Sequence, residues 1–164
     1  MHISFEGPAI VVRSIPASRA FYENLMRQNV EFSVAEAFVS YTSKFSIWQE
    51  SSASAMFHGQ SKRLAYQPAE SLEQFELYFE TPDLDETWAT FRQNEVPLVH
   101  DVVEQPWGQR CFRVKDPDGY VVELAEPMPL VVRRFLDAGM TVEEASKRTL
   151  LPVGIIESIV NSAE

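Results

Sequence analysis

Three groups of residues have the types and spacings to do chemistry. Gln74, Glu76 and Tyr78 alternate with Phe75 and Leu77, so in an extended strand the three share one face. Cys111 and Arg113 alternate in the same way with Phe112 and Val114. Glu123 lies on the next apolar run, across the turn Asp116-Pro117-Asp118-Gly119, and can stand beside Arg113 on the neighbouring strand. Trp107 and Gln109 flank Gly108 in a loop, where a large aromatic suits ligand contact and glycine permits the bend that aims it.

The chemistry open to these groups is of three kinds. Gln74, Glu76 and Glu123 offer oxygens to a hard cation such as Mg²⁺ or Mn²⁺. Arg113 presents a fork of donors to a carboxylate or carbonyl. Glu76 or Glu123 could exchange protons if its surroundings raise a carboxyl pKa. The structural alternative is an Arg113–Glu123 ion pair, costly in a dry interior unless fully hydrogen-bonded. His100 falls in the same region, and whether it joins this face depends on strand register.

Other chemistries lack support. The chain has one cysteine, Cys111, so no internal disulfide can form, and a lone mid-strand thiol reads as core. No serine or cysteine nucleophile has a histidine in a supporting context, and no glycine-rich phosphate loop is present. The net charge is −10, and it is unevenly placed: +1 over residues 1–64, −10 over 65–127 and −1 over 128–164. An acidic middle repels nucleic-acid backbones and attracts cations. The first residues lack the basic and apolar regions of a signal peptide, and no apolar run approaches a membrane span. A soluble cytoplasmic protein is expected.

The elements that must position these groups occur twice. Ala9–Arg13 reads as a strand, Ser14 caps a helix with Pro16 in its first turn, and Phe21, Tyr22, Leu25 and Met26 give that helix an apolar face. Strands follow at Val30–Val34, Phe38–Thr42 and Phe45–Gln49, with a hairpin turn at Tyr41–Lys44. Residues 51–71, rich in Ser, Ala, Gln and Gly, read as a linker. The order then repeats. Phe75–Glu80 is a strand, Asp83 caps a helix bearing Leu84, Trp88 and Phe91, and strands follow at Leu98–Val103, Arg110–Lys115 and Tyr120–Ala125. Phe21 with Tyr22 and Trp88 with Phe91 are expected in the core. Such a repeat decides architecture.

This doubled β-α-β-β-β order, with Ile15-Pro16-Ala17-Ser18-Arg19-Ala20-Phe21-Tyr22 and Asp116-Pro117-Asp118-Gly119-Tyr120-Val121-Val122-Glu123-Leu124, resembles the vicinal oxygen chelate superfamily. That superfamily includes glyoxalases, bleomycin-resistance proteins and dioxygenases. The resemblance covers about residues 7–127, and Phe75–Glu80 with Glu104–Arg110 suggests a narrower subgroup. It implies two paired modules forming a curved sheet around a concave pocket, with helices outside. It also implies a metal held by the first and last strands of each module, chelating neighbouring substrate oxygens.

The implied ligand positions fall on Gly7, which has no side chain, on Ser46 or Trp48, on Gln74 and on Glu123. Glu6, beside Gly7, is out of phase. A closed site needs three or four good ligands, so none is expected, and Gln74, Glu76 and Glu123 remain as weak metal candidates. A divalent metal is the one cofactor left open.

Residues 128–164 differ in kind. Leu130–Ala138 reads as a helix stopped by Gly139, Thr141–Glu144 as a capping box, and Pro152 opens a third helix with Val153, Ile156, Ile159 and Val160 on one side. The last two helices resemble a helix-turn-helix, but Val153-Gly154-Ile155-Ile156-Glu157-Ser158 offers nothing to base edges.

The expectation is therefore an α+β fold: modules at 1–50 and 72–127, and a helical appendage at 128–164. Its expected function is binding a small organic molecule in the manner of the glyoxalase and bleomycin-resistance proteins. The expected lining is Gln74, Glu76, Tyr78, Trp107, Gln109, Arg113 and Glu123. A metal-dependent lyase, isomerase or dioxygenase is the first alternative, and a DNA-binding regulator the second. A homodimer without nucleic-acid or membrane partners is expected.

Overall fold

The computed structural model describes residues 3–59 and 74–162. It divides into two compact units, one of Met1–Gln74 with Asp116–Tyr120, the other of Phe75–Lys115 with Val121–Glu164. Each unit holds one four-stranded mixed sheet, and together with the helices they make an α+β fold.

In the first unit, β1 (Ala9–Val12) pairs parallel with β4 (Ser46–Gln49), which pairs antiparallel with β3 (Phe38–Tyr41), and β3 with β2 (Val30–Val34). Ile10, Val12, Val39, Tyr41 and Ile47 form the buried face. The Ser14 hydroxyl opens α1 (Ile15–Arg19) by accepting from the Ala17 N–H at 3.3 Å. The helix then widens into a π-helical turn over Ala20–Leu25, with Met26 N–H donating to the Phe21 carbonyl at 3.0 Å. A helical period does not distinguish this widening, because Phe21 and Tyr22 stay buried either way. The Tyr22 hydroxyl donates to the buried Asp116 carboxylate at 2.8 Å, and burial raises both pKa values.

The stretch expected as a linker begins as a helix, α2 (Glu50–His58), resting against β1 and β4. Its Ser and Ala content suggested a loop, but alanine is the best helix former and Ala53 finds a fully buried place. Residues 60–71, the rest of that stretch, lie outside the described residues.

The second unit repeats the order. β5 (Glu76–Glu80) pairs parallel with β8 (Val121–Ala125), then β7 (Arg110–Lys115) and β6 (Leu98–Glu104) follow antiparallel. Leu77, Phe112, Val114, Val122 and Leu124 are buried, with Phe112 edge-on to Phe91 of α3 (Leu84–Gln93) at 5.7 Å. Two expectations about α3 need correction. Asp83 stands at its N-cap without a side-chain cap bond; the Thr87 hydroxyl instead donates to the Asp83 carbonyl at 2.9 Å. Trp88 is only half-buried, its indole N–H donating to Asp101 at 3.3 Å.

Three helices complete the unit: α4 (Met128–Asp137), α5 (Val142–Thr149) and α6 (Val153–Asn161). The capping box forms in full, with Glu144 N–H donating to the Thr141 hydroxyl at 3.2 Å and Thr141 N–H to the Glu144 carboxylate at 2.8 Å. Val131, Phe135 and Ala145 make the small core between α4 and α5. Of the expected apolar side of α6, Ile156 is buried while Val153 and Val160 are exposed. Among the described residues, no helix is long and apolar enough to cross a membrane.

Candidate functional site

The strand register of the second unit lines up four polar side chains. Tyr78 stands beside Glu123, Glu123 beside Arg113, and Arg113 beside His100, one from each strand. All four project from the sheet face opposite α3, because Phe112, on the alternate face of β7, packs against Phe91 of that helix. The alternation expected for Cys111 and Arg113 against Phe112 and Val114 is the one observed.

Arg113 is the centre of this row. Its Nε–H donates to Glu76 at 2.8 Å, and one Nη2–H donates to Glu123. Its Nη1 lies 3.2 Å from His100 Nε2 and 3.9 Å from the Cys111 sulfur. A guanidinium can only donate, so His100 Nε2 accepts and Nδ1 donates to the Asp101 carbonyl, 2.7 Å away. Gln105 donates to the Cys111 sulfur at 3.2 Å, and burial pushes that thiol pKa up, which disfavours the thiolate.

Glu123 is 4% exposed. Burial raises its pKa, with the nearby Glu76 charge adding to the rise and Arg113 opposing it. With both carboxylates ionised, the Glu76–Arg113–Glu123 group carries one negative charge. That charge, beside an aromatic hydroxyl, suits a cationic or neutral oxygen-bearing ligand better than an anion.

A second network adjoins the first through Tyr78. Its hydroxyl donates to Glu80 at 2.8 Å and accepts from the Gln109 amide at 2.9 Å. Burial and the Glu80 bond push the phenol pKa up to about 12. Gln109 is buried, donates also to the Glu126 carbonyl at 2.7 Å, and accepts from the Trp107 indole N–H at 3.0 Å. Trp107 is half-buried at the end of this chain of bonds.

Six of the seven expected lining residues thus fall into two adjoining networks: Glu76, Arg113 and Glu123 in one, Tyr78, Gln109 and Trp107 in the other. Gln74 does not join them. The strand begins at Glu76, where pairing with Val121 starts, and Gln74 precedes it with its side chain exposed. His100, Glu80 and Glu126 belong to the networks and were not singled out as lining. His100 was hidden by irregular pairing between β6 and β7, and Glu126 by its place beyond the last strand.

An α+β protein built from two β-α-β-β-β units with this strand order belongs to a known class. Residues 5–129 match the glyoxalase-like domain model, and the chain belongs to that family. A solved protein of unknown function from Agrobacterium tumefaciens str. C58 is 30% identical, with a TM-score of 0.67 over 77% of this chain and 96% of that one. A lactoylglutathione lyase from Agrobacterium tumefaciens shares the fold at 19% identity and TM-score 0.58, over 77% and 96% of the two chains. A glyoxalase/bleomycin resistance protein/dioxygenase superfamily member from Sphaerobacter thermophilus DSM 20745 does so at 21% identity and 0.53, over 76% and 98%. Comparison with curated proteins gave no match.

The metal that the resemblance implies does not fit the donors present. Gly7 offers nothing, and β4 presents Ser46 and Trp48. Gln74 lies outside the sheet, and Glu123 is engaged by Arg113. Among the described residues, no group of three His, Cys, Asp or Glu side chains is arranged to hold an ion.

Proposed function

We propose that this protein binds a small organic molecule on the open sheet face of the second unit, with the Arg113 guanidinium serving as the fixed cation at its centre. The observation that carries this reading is the state of Glu123. It is buried, stands where the resemblance implies the superfamily carboxylate, and accepts from a guanidinium that Glu76 and His100 also hold. Such a guanidinium is oriented before any ligand arrives, which lowers the ordering cost of binding.

Arg113 keeps N–H donors beyond those bonded to Glu76 and Glu123 and can present them to a carbonyl or hydroxyl oxygen. Glu76 and Glu80, both exposed, supply negative charge for a cationic group on the same molecule. Tyr78, 49% exposed, supplies an aromatic wall. A binder of the bleomycin-resistance type, taking a cationic compound, agrees with this charge pattern.

A thermal-shift screen against small cationic, neutral carbonyl and anionic compounds tests the reading. Stabilisation by members of the first two classes is expected, with the carbonyl shifts lost in Arg113→Met. Flat shifts across all three classes, or carbonyl shifts that survive the substitution, would overturn it.

A further inference from the structure

The helical appendage reaches the rim of this face through one side chain. Arg134 of α4 donates through Nη2 to the Gly108 carbonyl at 2.6 Å and to the Glu126 carboxylate at 3.0 Å. Its Nη1 reaches Glu104 at 3.4 Å, and Arg148 of α5 donates to the same carboxylate at 2.8 Å. The loop 105–109 is thus held at its entry, at its glycine and beside its exit by residues that lie outside the β-α-β-β-β repeat.

Packing adds to the bonds. Gly108 has φ +87°, and a Cβ there would overlap the Phe135 ring. Phe135 in turn lies beneath Arg134 and Arg148, 5.2 and 5.9 Å from its centroid. What this fixes is Gln109. The Glu126 carbonyl can only accept and the Trp107 indole can only donate, so the Gln109 amide has one possible orientation, and that orientation delivers its second N–H to Tyr78.

We propose that Arg134 is a positioning residue for the binding face: by clamping Gly108 and Glu126 it holds Gln109, and through Gln109 it sets Trp107 and Tyr78. The proposal rests on the reading of that face as a binding site, but its test needs no ligand. Trp107 reports on the chain of bonds directly, through the hydrogen-exchange rate and NMR cross-peak of its indole N–H in the full chain. Trp88, bonded to Asp101 on the same unit, is the internal control.

In Arg134→Met, exchange at Trp107 is expected to rise about tenfold, the equivalent of one lost hydrogen bond, with Trp88 unchanged. Arg134→Lys, which keeps the charge but not the fork, is expected to fall between wild type and Met. Arg133→Met, which removes a charge from an exposed position of the same helix, leaves Trp107 as it was. Should Arg134→Met fail to fold, Arg134→Lys carries the test. An unmoved Trp107 in the folded Arg134 variant, or an equal response to Arg133→Met, overturns the proposal. A moved Trp107 together with a flat compound screen would sink the binding role and leave the positioning chain standing.

Discussion

The two units share an order of elements and a strand order, yet their open sheet faces differ in kind. In the first, Val11, Trp48, Phe38 and Val34 stand in register across β1, β4, β3 and β2. Trp48 and Phe38 lie 4.4 Å apart, and Phe32 adjoins Phe38 at 5.3 Å. In the second, the row on the corresponding strands is Tyr78, Glu123, Arg113 and His100. The same topology accepts an aromatic row, so nothing in the fold demands charge on the second face. Holding Glu123 out of water costs several kcal/mol that its partners only offset. A cost borne on one face and absent from its repeat is one that the shared topology does not demand.

That contrast can be broken by substitution. Arg113→Met should have the largest effect, because it strands the buried Glu123 carboxylate. A loss of about 3 kcal/mol in urea unfolding is expected. Combining it with Glu123→Leu makes the second face resemble the first and should return stability to within about 1 kcal/mol of wild type. A double variant as unstable as the single would mean that the charges are needed for the fold after all.

On the first face, Trp48→Ala removes a half-buried ring from its contact with Phe38 and should cost about 2 kcal/mol. Glu76→Gln is the milder change on the second face. Its bond to Arg113 is partly solvated, and calorimetry should find a loss of only about 0.5 kcal/mol.

The smallest expected effect is in pH dependence. The folded pKa of Glu123 lies above its unfolded value, so the native state binds the proton more tightly. The stability from this group is therefore fully present below the unfolded value of about 4.3 and declines as pH rises through the folded pKa. Compared at successive pH values above about 4.3, wild type should lose ground to Glu123→Gln. The opposite slope would mean that Arg113 outweighs burial.

Much of this was legible from alternation alone. The run Cys111 to Val114 told which side chains share a face, and the turn closed by Gly119 told that Glu123 comes back beside Arg113. Where alternation fails, so did the reading. β6 pairs irregularly around His100, so its direction could not be counted out from the sequence. Gln74 obeys the period but lies two residues before pairing begins. The Ser- and Ala-rich start of α2 has no periodic signal, and its contact with the first sheet is not visible in the local sequence. Arg134 is 26 residues from Gly108, and no local pattern links a helix on the appendage to a loop on the sheet. Gln109 is expected as a lining residue in the loop beside Gly108. It is instead buried, because three hydrogen bonds repay its desolvation.

The account turns on Arg113 holding Glu123 at a position where the superfamily resemblance implies a metal. Elemental analysis by mass spectrometry of the full chain, purified without chelators, tests this most directly. Well under one equivalent of nickel, zinc, iron or manganese per chain is predicted. A full equivalent of one of them, lost in Glu123→Gln, would contradict it.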